Sequence, residues 1–477
     1  MKGFDGSAFE VRSRLSSTTS RAPTFRAVMF AMALFLVAGA CAGVTLPHTT
    51  VQTLILPNGL EACLVEDHQS PVVDVQVWYH VGSKNEVPGR TGFAHLFEHL
   101  MFDGTTNIPS DEFSDYVIRS GGIDNAYTTE DSTVFWETTP GSQLPVVLWL
   151  EADRMRNLDI TGTVFNTERE VVEEERRLRF DNPPYGTVVE TLYQHAYTVH
   201  PYQHMTIGSM HDLDHAKLED VRDFYDTYYA PNNATLVIVG DMDPQETEAM
   251  IRKYFGSLAR GTRLPANHIP QEPPQTAKRV VKLQLNVALP AFIEGYHMPA
   301  DGTPDAYPLR LASYILSEGE SSRIYRRLVY DKQIALEAES SGNFTEDPNL
   351  FFVFAVLNQG HAPAEGEAEV EAELTRLKTQ MVGDAELQKA KNQTLRDFIL
   401  SRQTVQTRGE ELGYAAVILK DANLVNTELA RFLAVTPADI QRVAQKFFTA
   451  ENMTLVEVYP KNAEGEKQAG GQTAGGQ

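Results

Sequence analysis

Apolar and polar residues alternate with period two along Val73-Asp74-Val75-Gln76-Val77-Trp78-Tyr79-His80-Val81, which predicts a half-buried strand with His80 on its polar face. Before it, Val51 to Leu56 and Leu60 to Glu66 flank Pro57-Asn58-Gly59 and predict a hairpin. After it the period changes. Residues 91–105, Thr-Gly-Phe-Ala-His-Leu-Phe-Glu-His-Leu-Met-Phe-Asp-Gly-Thr, predict a helix apolar almost all round, with Thr91 as N-cap and Gly104 as stop. A further helix is expected from Ser110 to Arg119, paired strands within Ile123 to Thr138, and helices at Leu144 to Met155 and Asn166 to Arg179. Residues 187–229 alternate between helix and loop. They lead into Tyr228-Tyr229-Ala230-Pro231-Asn232-Asn233 and the buried strand from Ala234 to Asp241.

That last pattern recurs near the C-terminus. Phe447-Phe448-Thr449-Ala450-Glu451-Asn452-Met453-Thr454-Leu455-Val456 follows it at a constant offset of 219 residues, which predicts two related domains in tandem. The proline-rich stretch Leu264 to Thr276 reads as the linker between them. The expected division is a first domain over 48–262, a linker over 263–279, a second domain over 280–461 and a disordered tail over 462–477. In the second half, Val281 to Val287 and Phe351 to Leu357 read as strands and Ala364 to Leu400 as largely helical. Leu311 to Gly319 stands where the first half has its histidine helix, without a histidine pair.

Composition narrows the class. A chain of 477 residues has room for two or three cores, and a formal charge of −23 excludes sequence-independent binding to nucleic-acid phosphates. Arginines at 12, 14, 21 and 26 precede an apolar run from Ala27 to Ala40. At fourteen residues it is too short to span a bilayer and reads as an export signal over 1–41. Ala38-Gly39-Ala40-Cys41 fits ordinary signal peptidase and also resembles a bacterial lipobox, so a lipid anchor on Cys41 is an open alternative. Ala42 after the cysteine favours the outer over the inner membrane. Cys41 and Cys63 are the only cysteines, which excludes a disulfide framework and a cysteine-rich zinc site; Cys63 reads as a buried, inert thiol.

The chemistry concentrates where ionisable groups interrupt the greasy helix. His95 and His99, four apart, project from one helical face, and Glu98 lies beside them. Unpartnered, such groups cost roughly 2 to 7 kcal/mol each to bury, and a metal ion removes that penalty. The order His-x-x-Glu-His is the inverzincin pattern, in which the histidines hold zinc and the glutamate handles a water proton. Two core histidines bonded to backbone are the bland alternative. On the helix from Asn166 to Arg179 most charges read as a solvated face. Glu168 and Glu175, seven apart, share one side and offer a third ligand with a supporting carboxylate, whereas Glu173 and Glu174 point elsewhere.

Taken together, Gly92-Phe93-Ala94-His95-Leu96-Phe97-Glu98-His99-Leu100-Met101-Phe102, the segment from Glu168-Arg169 to Glu175, and Tyr-Tyr-Ala-Pro-Asn-Asn resemble the pitrilysin (insulinase) family of zinc metallopeptidases. The likeness is greatest to mitochondrial processing peptidase and its bacterial relatives. The resemblance covers nearly all of residues 50–460. It implies an α+β fold of two homologous α/β-sandwich domains enclosing a chamber, with His95, His99 and Glu175 holding one zinc ion, Glu168 supporting them and Glu98 as base. It also implies that substrate adds as a strand near Asn125 and Ala126, so short or unfolded polypeptides are the expected substrates. One departure stands out. Active relatives carry an Arg and a Tyr seven apart in the second domain, where this chain has Tyr330 and Glu337. The resemblance therefore implies a heterodimer in which a homologous non-zinc subunit supplies the pair. A structural or chaperone-like subunit is the non-enzymatic alternative, against which the intact His95, Glu98, His99 and Glu175 argue. S-ribosylhomocysteine lyase shares His-x-x-Glu-His but takes a downstream cysteine ligand, whereas Cys63 lies upstream.

Overall fold

The computed structural model of the chain describes residues 48–110, 112–265 and 269–461. The segment read as an export signal with Cys41, and the tail after residue 461, lie outside the described residues.

Two mixed sheets repeat one topology. In the first half β1 (Gln52–Ile55), β2 (Glu61–Glu66), β3 (Val72–Tyr79), β4 (Ile123–Thr128), β5 (Thr133–Pro140) and β6 (Ala234–Gly240) lie in the order β1-β2-β6-β3-β5-β4. In the second, β7 (Arg279–Leu285), β8 (Ala291–His297), β9 (Ala335–Gly342), β10 (Leu350–Leu357) and β11 (Met453–Pro460) lie in the order β7-β11-β8-β10-β9. β6 runs parallel to β2 and antiparallel to β3, as β11 does with β7 and β8. The repeat read from sequence is thus a repeat of fold, and β4 and β9 are corresponding edge strands.

The helices are α1 (Phe93–Leu100), α2 (Phe113–Arg119), α3 (Leu144–Asn157), α4 (Gly162–Arg176), α5 (Val188–Ala196), α6 (Met210–His215), α7 (Leu218–Tyr228) and α8 (Pro244–Phe255), then α9 (Ala306–Ser317), α10 (Pro363–Thr379), α11 (Asp384–Leu400), α12 (Val405–Val417), α13 (Leu424–Ala434) and α14 (Pro437–Phe447). One face of each sheet packs on helices of its own half. Val73, Val75 and Val77 of β3 meet Phe93, Leu96, Phe97 and Leu100 of α1 with Phe165 and Val172 of α4. Each large side chain so buried contributes roughly 1.5–3 kcal/mol.

The other faces are covered by exchange. α12, from the second half, lies on the first sheet: Gln76 donates to Gln406 O at 2.9 Å, and Leu412 and Ala415 pack with Trp78, Cys63 and Val237. α5, from the first half, lies on the second sheet, with Val188, Leu192 and Ala196 against Ile293, Val456 and Val458. Two tandem halves are present, but each lends the other a wall. Burial pushes the Cys63 thiol up to about 11, which suits the inert role read for it.

Three local expectations need correction. α1 is capped by Gly92 in the left-handed region at φ 92°, not by Thr91. A Cβ at Gly92 would meet Ile207 O at 2.7 Å, so the crossing of residues 207–208 over the helix start requires glycine. Thr91 instead donates its hydroxyl to Asp212 at 2.6 Å and accepts from Ser209 N at 3.0 Å. Nor is α1 buried all round, because His95, Glu98 and His99 form a slightly exposed stripe. His80, expected on the polar face of a half-buried strand, is not left to solvent but is half-buried and paired with Glu346 at 2.7 Å across the two halves.

Candidate metal centre

α1 and α4 pack side by side and bring together five of the side chains singled out in the sequence, His95, Glu98 and His99 from α1 with Glu168 and Glu175 from α4. One ligand atom each from His95, His99 and Glu175 lies within 4.8 Å of the others. Glu175 Oε2 is 3.6 Å from His95 Nε2 and 3.4 Å from His99 Nε2. Donors about 2.0–2.2 Å from a tetrahedral ion stand roughly 3.3 Å apart, so the three side chains fit one zinc ion with little adjustment. The donor set, two imidazoles and one carboxylate, leaves a fourth position open.

The flanking groups tune these three. Glu168 Oε2 lies 3.4 Å from His99 Nδ1, the nitrogen turned away from Glu175, where it can fix the tautomer and orientation of the ring. Arg179 donates to Glu175 Oε1 at 2.7 Å, holding the oxygen not turned toward the histidines. Burial, aided by the His99 ring, pushes His95 below the usual imidazole range, so it is neutral as a ligand must be. Burial alone would lower His99 too, but Glu168, Glu98 and Glu175 outweigh it and raise that ring. Burial raises the Glu98 carboxyl, moderated by the Thr128 hydroxyl that donates to Oε2 at 2.6 Å. An upward shift is the direction that favours a carboxylate taking up a proton.

Glu98, His99, Phe102, Asp103, Asn125 and Glu168 line a cleft of about 320 Å³ beside the centre. Asn125 is therefore at the site, on the free edge strand β4, and Ala126 follows it. Asn125 Oδ1 accepts the Ala126 N–H at 2.9 Å, a local cap on an edge donor. Glu173, buried, pairs with Arg169 and Arg177, and Glu174 with Arg177, away from the cluster as expected.

Sequence reasoning missed the groups that hold this arrangement. Thr128 is thirty residues from Glu98, and no local signal joins them. Arg176, next to Glu175, donates to Gly208 O and pairs with Glu190 at 2.8 Å, pinning α4 to the loop that crosses the start of α1. Glu86 receives the Gly92 and Ala94 N–H groups at 2.9 and 2.8 Å. A glycine at the N-cap, which has no side chain to offer, is the one signal that could have prompted a search for such an acceptor.

Known proteins with this layout agree. Residues 62–209 match the family described as Insulinase (Peptidase family M16), and residues 215–394 match Peptidase M16 inactive domain. The zinc protease PqqE of Helicobacter pylori is 32% identical over 414 residues, covering 86% of this chain and 93% of that one. The chain belongs to peptidase family M16. Among solved structures, a protease from Helicobacter pylori superposes with a TM-score of 0.81 at 33% identity, covering 86% of this chain and all of that one. The first half of the periplasmic protease PqqL from Escherichia coli gives 0.71 at 18% identity, covering 89% and 95%, a likeness of fold. The "inactive domain" match begins in the last part of the first half and runs into the second, whose α9 carries no histidine. No described helix is long and apolar enough to cross a membrane.

Proposed function

We propose that this M16 chain is a zinc-dependent endopeptidase acting on short or unfolded polypeptides. The observation that carries this reading is the convergence of His95, His99 and Glu175 with Glu98 beside them at the mouth of a cleft. His95, His99 and Glu175 would hold the ion, and Glu168 would steady His99. Bound zinc would supply a Lewis acid for the peptide carbonyl and make a water molecule easier to deprotonate. Glu98 takes the proton of the attacking water and returns it to the departing amine, with Thr128 fixing the carboxylate rotamer. The free edge of β4 at Asn125 and Ala126 receives the substrate as an added strand, displacing the Asn125 side chain from the Ala126 N–H.

The second half supports a heterodimeric reading. Tyr330 is 73% exposed, and Glu337 is exposed on β9, so the positions expected to carry an Arg and a Tyr carry neither. A homologous non-zinc subunit would supply that pair, with this chain as the catalytic partner. The arginine-led apolar segment over 1–41 supports export, to the periplasm or, if Cys41 is acylated, to the outer membrane; the PqqL neighbour is titled a periplasmic protease.

The test is cleavage of an unstructured peptide mixture by the zinc-loaded chain, alone and with co-purifying M16 relatives, beside its Glu98→Gln variant. General-base removal typically costs 10²–10⁴-fold, so the variant should keep its zinc and lose at least a hundredfold in turnover. Equal cleavage by the variant would reject Glu98 as base, and full activity of the chain alone would reject the need for a partner.

A further inference from the structure

α1 starts without a capping side chain of its own, since Gly92 stands at its N-cap. The missing acceptor comes from Glu86, fully buried, whose two oxygens take the Ala94 and Gly92 N–H groups at 2.8 and 2.9 Å, with the Phe93 N–H also directed at it. Glu86 thus fixes where the helix that carries His95 begins.

The turn carrying Glu86 is itself held from the second half. Ser83–Asn85 forms a single 3-10 turn, stapled by Ser83 N to Thr129 O and Lys84 N to Glu130 O, beside the Thr128 that holds Glu98. The Lys84 side chain is buried, and its Nζ meets Asp131 at 2.8 Å, Glu346 at 2.7 Å and Asp347 at 3.1 Å. Glu346 and Asp347 belong to the β9–β10 connection of the other half. Glu346 also engages His80 and Lys420, and its N–H donates to Asp131 at 2.8 Å. From Glu346 the path to His95 runs through the Lys84 ion pair, along the chain to Glu86, and through the Glu86 oxygens to the Gly92 and Ala94 N–H groups just before His95.

Resting on the zinc reading above, we propose that Glu86 is a positioning residue for His95, and that Lys84 couples its hold on α1 to the seating of the second half. A centre so coupled is fully formed only when the two halves are closed on each other. The coupling acts on the protein's own ligands before any substrate arrives, so it is read in metal affinity as well as in turnover.

The experiment uses the full chain and measures the zinc dissociation constant by chelator competition, with amide hydrogen exchange over residues 92–95. Glu86→Gln leaves one oxygen for donors that now use two; zinc affinity should fall at least tenfold and the Gly92, Phe93 and Ala94 amides should exchange faster. Glu346→Gln, on the opposite half, should weaken zinc about threefold with the same change in exchange. Glu272→Gln cuts another tie, in which Glu272 receives the backbone N–H groups of Thr198, Val199 and His200, and should leave zinc affinity unchanged. Unchanged affinity in Glu86→Gln, or equal losses in Glu346→Gln and Glu272→Gln, would overturn the proposal. Failure of the unaltered protein to bind zinc would instead reject the zinc reading; exchange at 92–94 that Glu86→Gln leaves unchanged would then overturn the positioning role by itself.

Discussion

Glu175 and Glu168 sit on one side of α4 and meet different atoms, one facing both Nε2 nitrogens and the other His99 Nδ1. Their removal should therefore differ in degree. Glu175→Gln deletes an anionic donor and should bring zinc below one equivalent after gel filtration. Glu168→Gln frees only the ring behind it, for which a loss of about 10–100-fold in affinity or activity is typical. Equal zinc content in both variants would move the third ligand elsewhere. Away from the centre, Glu294 lies fully buried in β8, with only the Tyr296 hydroxyl donating to it at 2.9 Å, and burial raises its carboxyl to about 8. The folded chain holds that proton up to about pH 8, whereas the unfolded chain releases it near 4.5. Stability contributed by the protonated group is thus complete at low pH and declines between those values, by up to about 1.4 kcal/mol per pH unit. Glu294→Gln should flatten this decline in denaturant melts at pH 5, 7 and 9; an unchanged slope would show that Glu294 is ionised in the fold. His95, Glu98 and His99 were legible because helical spacing is a local property. Glu294 was not, because nothing along a sequence marks which acidic residue of a strand lands in the sheet interior.

At the scale of elements, periodicity found β3, the β1–β2 hairpin, β4 with β5, and α3 within a few residues of their observed ends. It failed at the start of α1, since Thr91 has the chemistry of a cap but is drawn away by Asp212 and Ser209, more than a hundred residues later. It also failed to see what α12 covers. Gly409 and Gly413 on that helix lie against β3, where a Cβ would stand 2.6 Å from Gln76 Nε2 and 2.1 Å from the Trp78 ring. Small residues a turn apart let the helix lie close on the sheet, at the helix-propensity cost of about 1 kcal/mol per glycine. Gly413→Ala gains that propensity but forces Trp78 or the helix to move. Overpacking of this kind typically costs 1–3 kcal/mol, so a lower melting temperature is expected. A variant as stable as the parent would mean that α12 can slide without loss.

For the whole molecule, the repeat suggested two domains on a string, and the exchanged helices make them interdependent. Without α12 the first sheet would expose Cys63, Val65, Trp78, Val134, Val237 and Val239; without α5 the second would expose Ile293, Val356, Val456 and Val458. Uncovered apolar faces of that size on a sheet favour association over a monomeric fold. The linker is tied to both halves, by Arg263 to Asp223 and Asp226, by Glu272 to residues 198–200, and by Gln275 to Met453 O and Thr454. A fragment of residues 49–262 and one of residues 270–461 should each aggregate or remain molten when made alone. Made together, they should copurify as a one-to-one complex that binds zinc, because the contacts holding α5 and α12 do not need the linker. Size-exclusion chromatography with near-ultraviolet circular dichroism reads the outcome. An N-terminal fragment that is monomeric, cooperatively folded and zinc-binding by itself would show that the exchange is dispensable. It would also remove the physical basis for coupling the centre to the second half, since the helix holding His95 and His99 would then form without Glu346 on Lys84.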